Sequence, residues 1–157
     1  MKMKLLIVLV AGVAALLWVR GQRAKFHQQM SGAASVEWMT NAAAAFERAG
    51  RENKTVLMDF TGSDWCGWCI RLDKEVFSSV AFDTYAKKNL VLLKLDFPRG
   101  LKQTEAEKQQ NQALSEKYRI AGFPTIVVAR ADGTERGRLG YEPGGPEKWL
   151  ASLKKIP

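Results

Sequence analysis

Two hydrophobic rhythms alternate along the chain. TVLMDFT (55–61), LVLLKLDF (90–97) and GFPTIVVA (122–129) are short, nearly unbroken apolar runs rich in strand-forming residues, the signature of strands buried on both faces. TVLMDFT is expected to be central. Between the first two runs, IRLDKEVFSSVAFDTYAKK places Leu72, Val76, Phe77 and Val80 at helical intervals, and Ser78 or Ser79 marks a break into a second short helix. Upstream, Thr40 or Asn41 can cap a helix over AAAAFERAGREN (42–53). A polar connection from Pro98 leads to a helix around Glu105 to Tyr118. Asp132-Gly133 is a hairpin signal that turns TERGRLGY (134–141) back as a fourth strand, and Pro146 opens a last helix over EKWLASLKK. Strand–helix–strand units combined with a hairpin predict an α/β fold, a mixed sheet flanked by helices.

The first thirty residues follow neither rhythm. MKMK is a short basic start, and LLIVLVAGVAALLWV (5–19) is an unbroken apolar run of fifteen, which suits the hydrophobic region of an export signal or a membrane anchor. Val19-Arg20-Gly21 is a poor small-x-small cleavage sequence, and Arg20, Arg23 and Lys25 crowd the downstream side, so signal peptide and retained anchor both stay open. The chain therefore divides into a signal or anchor segment with its basic flank at 1–30 and one globular domain at 31–157. Its only histidine, His27, sits in a polar linker and is assigned no chemistry.

Charge excludes less than its total suggests. The net charge is +8, but five basic residues and no acid lie before residue 31, leaving 19 basic against 16 acidic residues in the domain. No clustered basic patch with interleaved aromatics is visible, so nucleic acid is not an expected partner.

The chemistry centres on FTGSDWCGWC (60–69), which holds both cysteines of the chain, Cys66 and Cys69. A strand, a short GSDW loop and a helix beginning at the first cysteine put Cys66 where unpaired N–H groups and the helix dipole favour a thiolate. Three helical residues advance about 4.5 Å, so Cys69 falls within disulfide reach. Cys66 is then the attacking sulfur, and Cys69, one turn inside and less exposed, the resolving one. A zinc site wants four ligands, and two cysteines with one distant histidine do not supply them. A purely structural disulfide across so short a loop constrains little of the unfolded chain. Redox work is the strongest of the three readings.

WCGWC after DFTGSD, with YRIAGFPT some fifty residues later, resembles the thioredoxin fold, in particular bacterial thioredoxin-like proteins with FTGSDWCGWC-type motifs; the likeness covers roughly residues 37 to 153. The resemblance implies that Pro124 is a cis-proline facing the cysteine pair, with Phe123 before it and Thr125 after, where a client polypeptide can pair as an added strand. It also implies that Asp59 is the buried carboxylate beneath the resolving cysteine and Lys94 its companion, the acid taking the Cys69 proton. Read from the residues alone, the alternative is that Asp59 caps a strand end and Lys94 is a solvated charge. Trp65, Gly67 and Trp68 complete the expected substrate-binding surface. Gly67-Trp68 stands where thioredoxin has Gly-Pro, one extra residue separates acid and cysteine, and Phe123 replaces a smaller aliphatic neighbour.

The function expected from the resemblance is thiol–disulfide exchange on protein disulfides, as a reductase, and the basic start and apolar run put it outside the cytoplasm, in the periplasm. An oxidase or isomerase with the same pair, or a peptide-binding module of the same fold with idle cysteines, are the alternatives. No cofactor or metal is expected. Electrons then pass to or from a redox partner protein, the domain is expected to be a monomer, and the N-terminal segment, if uncleaved, ties it to a membrane.

Overall fold

A computed structural model describes residues 37–157. The apolar run at 5–19, its basic flank, His27 and the domain boundary near residue 31 lie outside the described residues.

Five strands form one sheet in the order β1-β3-β2-β4-β5: β1 (Trp38–Met39), β2 (Thr55–Thr61), β3 (Leu90–Asp96), β4 (Thr125–Ala129) and β5 (Glu135–Leu139). β3 runs parallel to both β1 and β2, while β4 pairs antiparallel with both β2 and β5. The sheet is mixed and TVLMDFT is its central strand, as the apolar runs predicted. Two features differ from the sequence reading. Trp38–Met39 adds a fifth strand at the edge, too short for any periodicity to reveal. Gly122, Phe123 and Pro124 stay outside β4, because a proline cannot donate to a sheet ladder.

The helices are α1 (Ala42–Glu52), α2 (Gly67–Leu72), α3 (Val80–Asn89), α4 (Glu105–Lys117) and α5 (Gly145–Leu153). Local chemistry sets their ends. Asn41, not Thr40, caps α1 by accepting from the Ala44 N–H at 2.9 Å, and Ser79 caps α3 by accepting from Phe82 N–H at 3.1 Å. Thr104 and Glu107 form a reciprocal capping box on α4. Between α2 and α3 the chain makes a wider π-helical turn over Asp73–Phe77, closed by the Ser78 N–H bonding to the Asp73 carbonyl at 2.8 Å. The predicted break at Ser78 and Ser79 is the end of this turn.

Strand alternation splits the core into two layers. Leu57, Leu92, Ile126 and Val128 face Leu72, Phe77, Phe82 and Trp149 on one side. Val56, Met58, Phe60, Leu93 and Val127 face Ala45, Ala49 and Tyr118 on the other. Alternation puts Asp59 on the first face, two residues beyond Leu57 and near the end of the strand that feeds the cysteine loop.

Candidate active site

Cys66 is the N-cap of α2, extended in backbone and preceding the first helical turn. Its sulfur is joined to that of Cys69, with the Cα atoms 5.2 Å apart, and accepts the Cys69 N–H at 3.2 Å. Backbone geometry thus directs a helix-terminal N–H donor at the Cys66 sulfur. The expected contrast in exposure is almost absent from this oxidised state: Cys66 is 6% and Cys69 4% exposed. The bond draws the outer sulfur onto the inner one, one turn down the helix.

The loop that presents Cys66 is braced by the end of β3 and the segment after it. Asp96 accepts from the Ser63 N–H at 2.9 Å and from its hydroxyl at 2.5 Å. The Asp64 carboxylate accepts from the N–H groups of Arg99 and Gly100, at 3.0 and 2.6 Å, and these bonds hold its pKa below the usual carboxylate value. The Trp65 indole donates to the Phe97 carbonyl at 2.8 Å, stands edge-on to Phe123 at 6.0 Å and carries the Arg99 guanidinium 4.0 Å above its ring. Trp65 and Phe123 therefore belong to one aromatic cluster with Phe97. Asp64, Asp96 and Arg99 escaped the sequence reading, although the polar GSD of the loop hinted at anchors of this kind.

A separate groove, about 440 Å³ in volume, is lined by Trp68, Arg71, Pro124, Tyr141 and Pro143. The Phe123–Pro124 bond is cis, as the resemblance implied. Trp68 and Tyr141 lie 5.2 Å apart, with the Arg71 guanidinium 5.8 and 5.4 Å from their rings. Glu75 ties the assembly together, accepting from Arg71 at 2.6 Å and from the Tyr141 hydroxyl at 2.7 Å; these two hydrogen bonds lower its pKa. Of the expected substrate-binding residues, the structure brings Trp68 and Pro124 into this groove. Gly67 is exposed with open space around its α-carbon, and the Thr125 hydroxyl donates to the Gly122 carbonyl at 2.7 Å, within its own turn. Arg71, Tyr141 and Pro143 were missed because nothing in their local sequence marks them.

Asp59 is not a strand-end cap. It is the fifth of seven residues in β2 and only 3% exposed. Lys94, on the neighbouring β3, is its partner in strand register, while the Lys94 ammonium lies 4.0 Å from the Asp73 carboxylate. Burial lifts the Asp59 carboxyl to about 7; Lys94 opposes that rise, while Asp73 and Asp96 add to it. A carboxyl with that affinity exchanges a proton near neutrality, as a general base for a thiol must. Alternation puts its side chain on the same face of the sheet as Leu57, the face that Leu72 covers.

A family model of the thioredoxin-like domain matches residues 42–156. Disulfide bond reductase DsbH of Chlamydia pneumoniae is 36% identical over 122 residues, 78% of this chain and 73% of that protein. A solved structure of DsbH oxidoreductase aligns with a TM-score of 0.75 at 35% identity, over 79% of this chain and 85% of that one. Thioredoxin-related protein DsbJ of the same organism is 28% identical over 106 residues, 68% of this chain but 30% of DsbJ. With this fold around a Cys-x-x-Cys disulfide, the chain belongs to the thioredoxin-like family, and its chemistry is thiol–disulfide exchange.

Proposed function

We propose that the chain is a protein-disulfide reductase working outside the cytoplasm, with Cys66 as nucleophile, Cys69 as resolving thiol and Asp59 as proton acceptor. The observation that carries this reading is the helix-capping sulfur of Cys66, bonded to Cys69 on a helix whose next residues line an aromatic groove. In the reduced protein the Cys66 thiolate attacks one sulfur of a client disulfide, forming a mixed disulfide and expelling the first client thiolate. Cys69 then gives its proton to the Asp59 carboxylate and attacks the Cys66 sulfur, expelling the second thiolate. The client gains two electrons, its two thiolates take up one proton released by Asp59 and one from solvent, and the protein is left with the Cys66–Cys69 disulfide. A dithiol partner protein must return those electrons.

The similarity to DsbH, a protein named as a disulfide bond reductase, supports the direction. The basic start and fifteen-residue apolar run support export, with the domain acting as a monomer, free or tethered at the membrane.

Three measurements test the reading. Cys69→Ser expressed in the native host should capture client proteins as reducible mixed disulfides through Cys66, and the reduction potential should lie near the about −270 mV of thioredoxin. A potential near the about −120 mV of a strong oxidase would reverse the direction. For location, a membrane-impermeant thiol reagent should label Cys66 in intact cells after mild reduction; protection until lysis would remove the extracytoplasmic assignment.

A further inference from the structure

Asp59 and Lys94 are register partners on adjacent parallel strands, and alternation points both to the same face of the sheet. The ammonium is nonetheless engaged elsewhere. Its nitrogen is 4.0 Å from the Asp73 carboxylate and 5.5 Å from the centre of the Trp38 ring. The Asp59 Oδ1 atom is fully enclosed and has no hydrogen-bond partner among the described residues. Asp73 opens the π-helical turn, and its N–H bonds to the Cys69 carbonyl one turn back. Its side chain is 53% exposed. One cation therefore has two acids within its range, one at the helix surface and one in the core.

We propose that Asp73 is a positioning residue of the redox centre: it holds the Lys94 ammonium at the helix surface and keeps it off the Asp59 carboxyl. Moving the ammonium onto Asp59 would strip water from a strongly hydrated point charge. Remaining at the surface keeps both its hydration and its contacts with Asp73 and Trp38. The charged groups acting on Asp59 are Lys94 and Asp96 from β3 and Asp73 from the π-helical turn; β4 presents the apolar Ile126 as its register partner. Asp96 is fixed by its two bonds from Ser63, which leaves Lys94 as the movable charge. Asp73 acts twice in the same sense, through its own negative charge and through its hold on the counter-ion. Its importance for exchange rests on the proposed role of Asp59 in the resolving step.

The test is a double-mutant cycle on the full chain, with Asp59 ionisation followed by carboxyl ¹³C resonance and, separately, the pH profile of mixed-disulfide release. Asp73→Asn should lower the Asp59 midpoint by roughly 0.5–1 pH unit, and Asp73→Glu should restore it. In a Lys94→Met background the effect of Asp73→Asn should shrink, since only the direct charge is left. An unmoved midpoint in folded Asp73→Asn, or an equal shift with and without Lys94, overturns the proposal. A midpoint that moves while the release profile does not supports the Asp73–Lys94 coupling and removes Asp59 from the resolving step.

Discussion

The Cys69 backbone N–H points at the Cys66 sulfur from 3.2 Å, so the helix that carries Cys69 also supplies a donor to Cys66. On reduction that donor favours a thiolate at Cys66, whereas the Cys69 sulfur lies inside the first turn. Titrated alkylation of the reduced protein should modify Cys66 first, with an apparent pKa below the roughly 8.5 of a free thiol. Faster labelling of Cys69 would exchange the two roles.

Burial of Asp59 makes stability depend on pH in a definite direction. The folded protein binds this proton more tightly than the unfolded chain does, since the carboxyl rises from an ordinary 3.8 to about 7. The stabilisation is full below about pH 4 and is lost as pH climbs through about 7, a swing of at most about 4 kcal/mol. Surface carboxylates with lowered pKa values, such as Glu75 and Asp64, act in the opposite sense and at lower pH. Asp59→Asn should therefore flatten the urea-unfolding midpoint between pH 4 and 8. A mutant profile parallel to the wild type would show that Asp59 does not titrate there.

The same substitution bears on catalysis. Because the amide that replaces the carboxyl in Asp59→Asn cannot accept a proton, mixed-disulfide release at neutral pH should slow by about 10²-fold or more, while the initial attack by Cys66 changes little. Rapid-quench measurement of the two steps separates them, and equal slowing of both would assign Asp59 a structural role.

Trp68 contributes an exposed ring to the groove, 57% accessible and tilted toward Tyr141. Trp68→Ala should raise KM for a protein disulfide about tenfold, equivalent to about 1.4 kcal/mol of lost contact. The rate with a small soluble disulfide should stay within about twofold, because that substrate reaches the sulfurs without using the groove. Equal losses on both substrates would mean that the ring tunes the sulfurs instead.

Two glycines of the motif should respond oppositely to alanine. A Cβ on Gly62 would sit 2.5 Å from the Trp65 ring, whereas one on Gly67 would meet nothing within 4 Å. Gly62→Ala should displace Trp65 and abolish the indole N–H resonance that its hydrogen bond to Phe97 shifts. Gly67→Ala, in the first helical position, should retain that signal and be neutral or slightly stabilising. A Trp65 resonance unchanged in Gly62→Ala would refute the close packing.

Much of this molecule is legible without coordinates, for a local physical reason. A strand buried on both faces must be apolar throughout, and a helix buried on one face must repeat near 3.6 residues; TVLMDFT, LVLLKLDF and the Leu72, Val76, Phe77 spacing therefore declare themselves, whereas Val80, expected on the same face, starts a new helix and is half exposed. Side-chain capping is equally local, which is why Asn41 stood among the candidate caps and Ser79 among the candidate breaks. The cysteine pair was readable because its chemistry lies within one helical turn, and the YRIAGFPT segment because it resembles a family pattern.

Tertiary structure decided the rest, wherever partners distant in sequence had to be brought together. Trp38 and Met39 are a strand only because β3 offers an open edge. Trp68 meets Tyr141, and Tyr141 meets Glu75, across intervals that no periodicity spans. Lys94 is opposite Asp59 by strand register but is turned toward Asp73 and Trp38, a choice set by the competition between hydration and burial. The chain composition determined which groups could react, and packing determined which of them face one another.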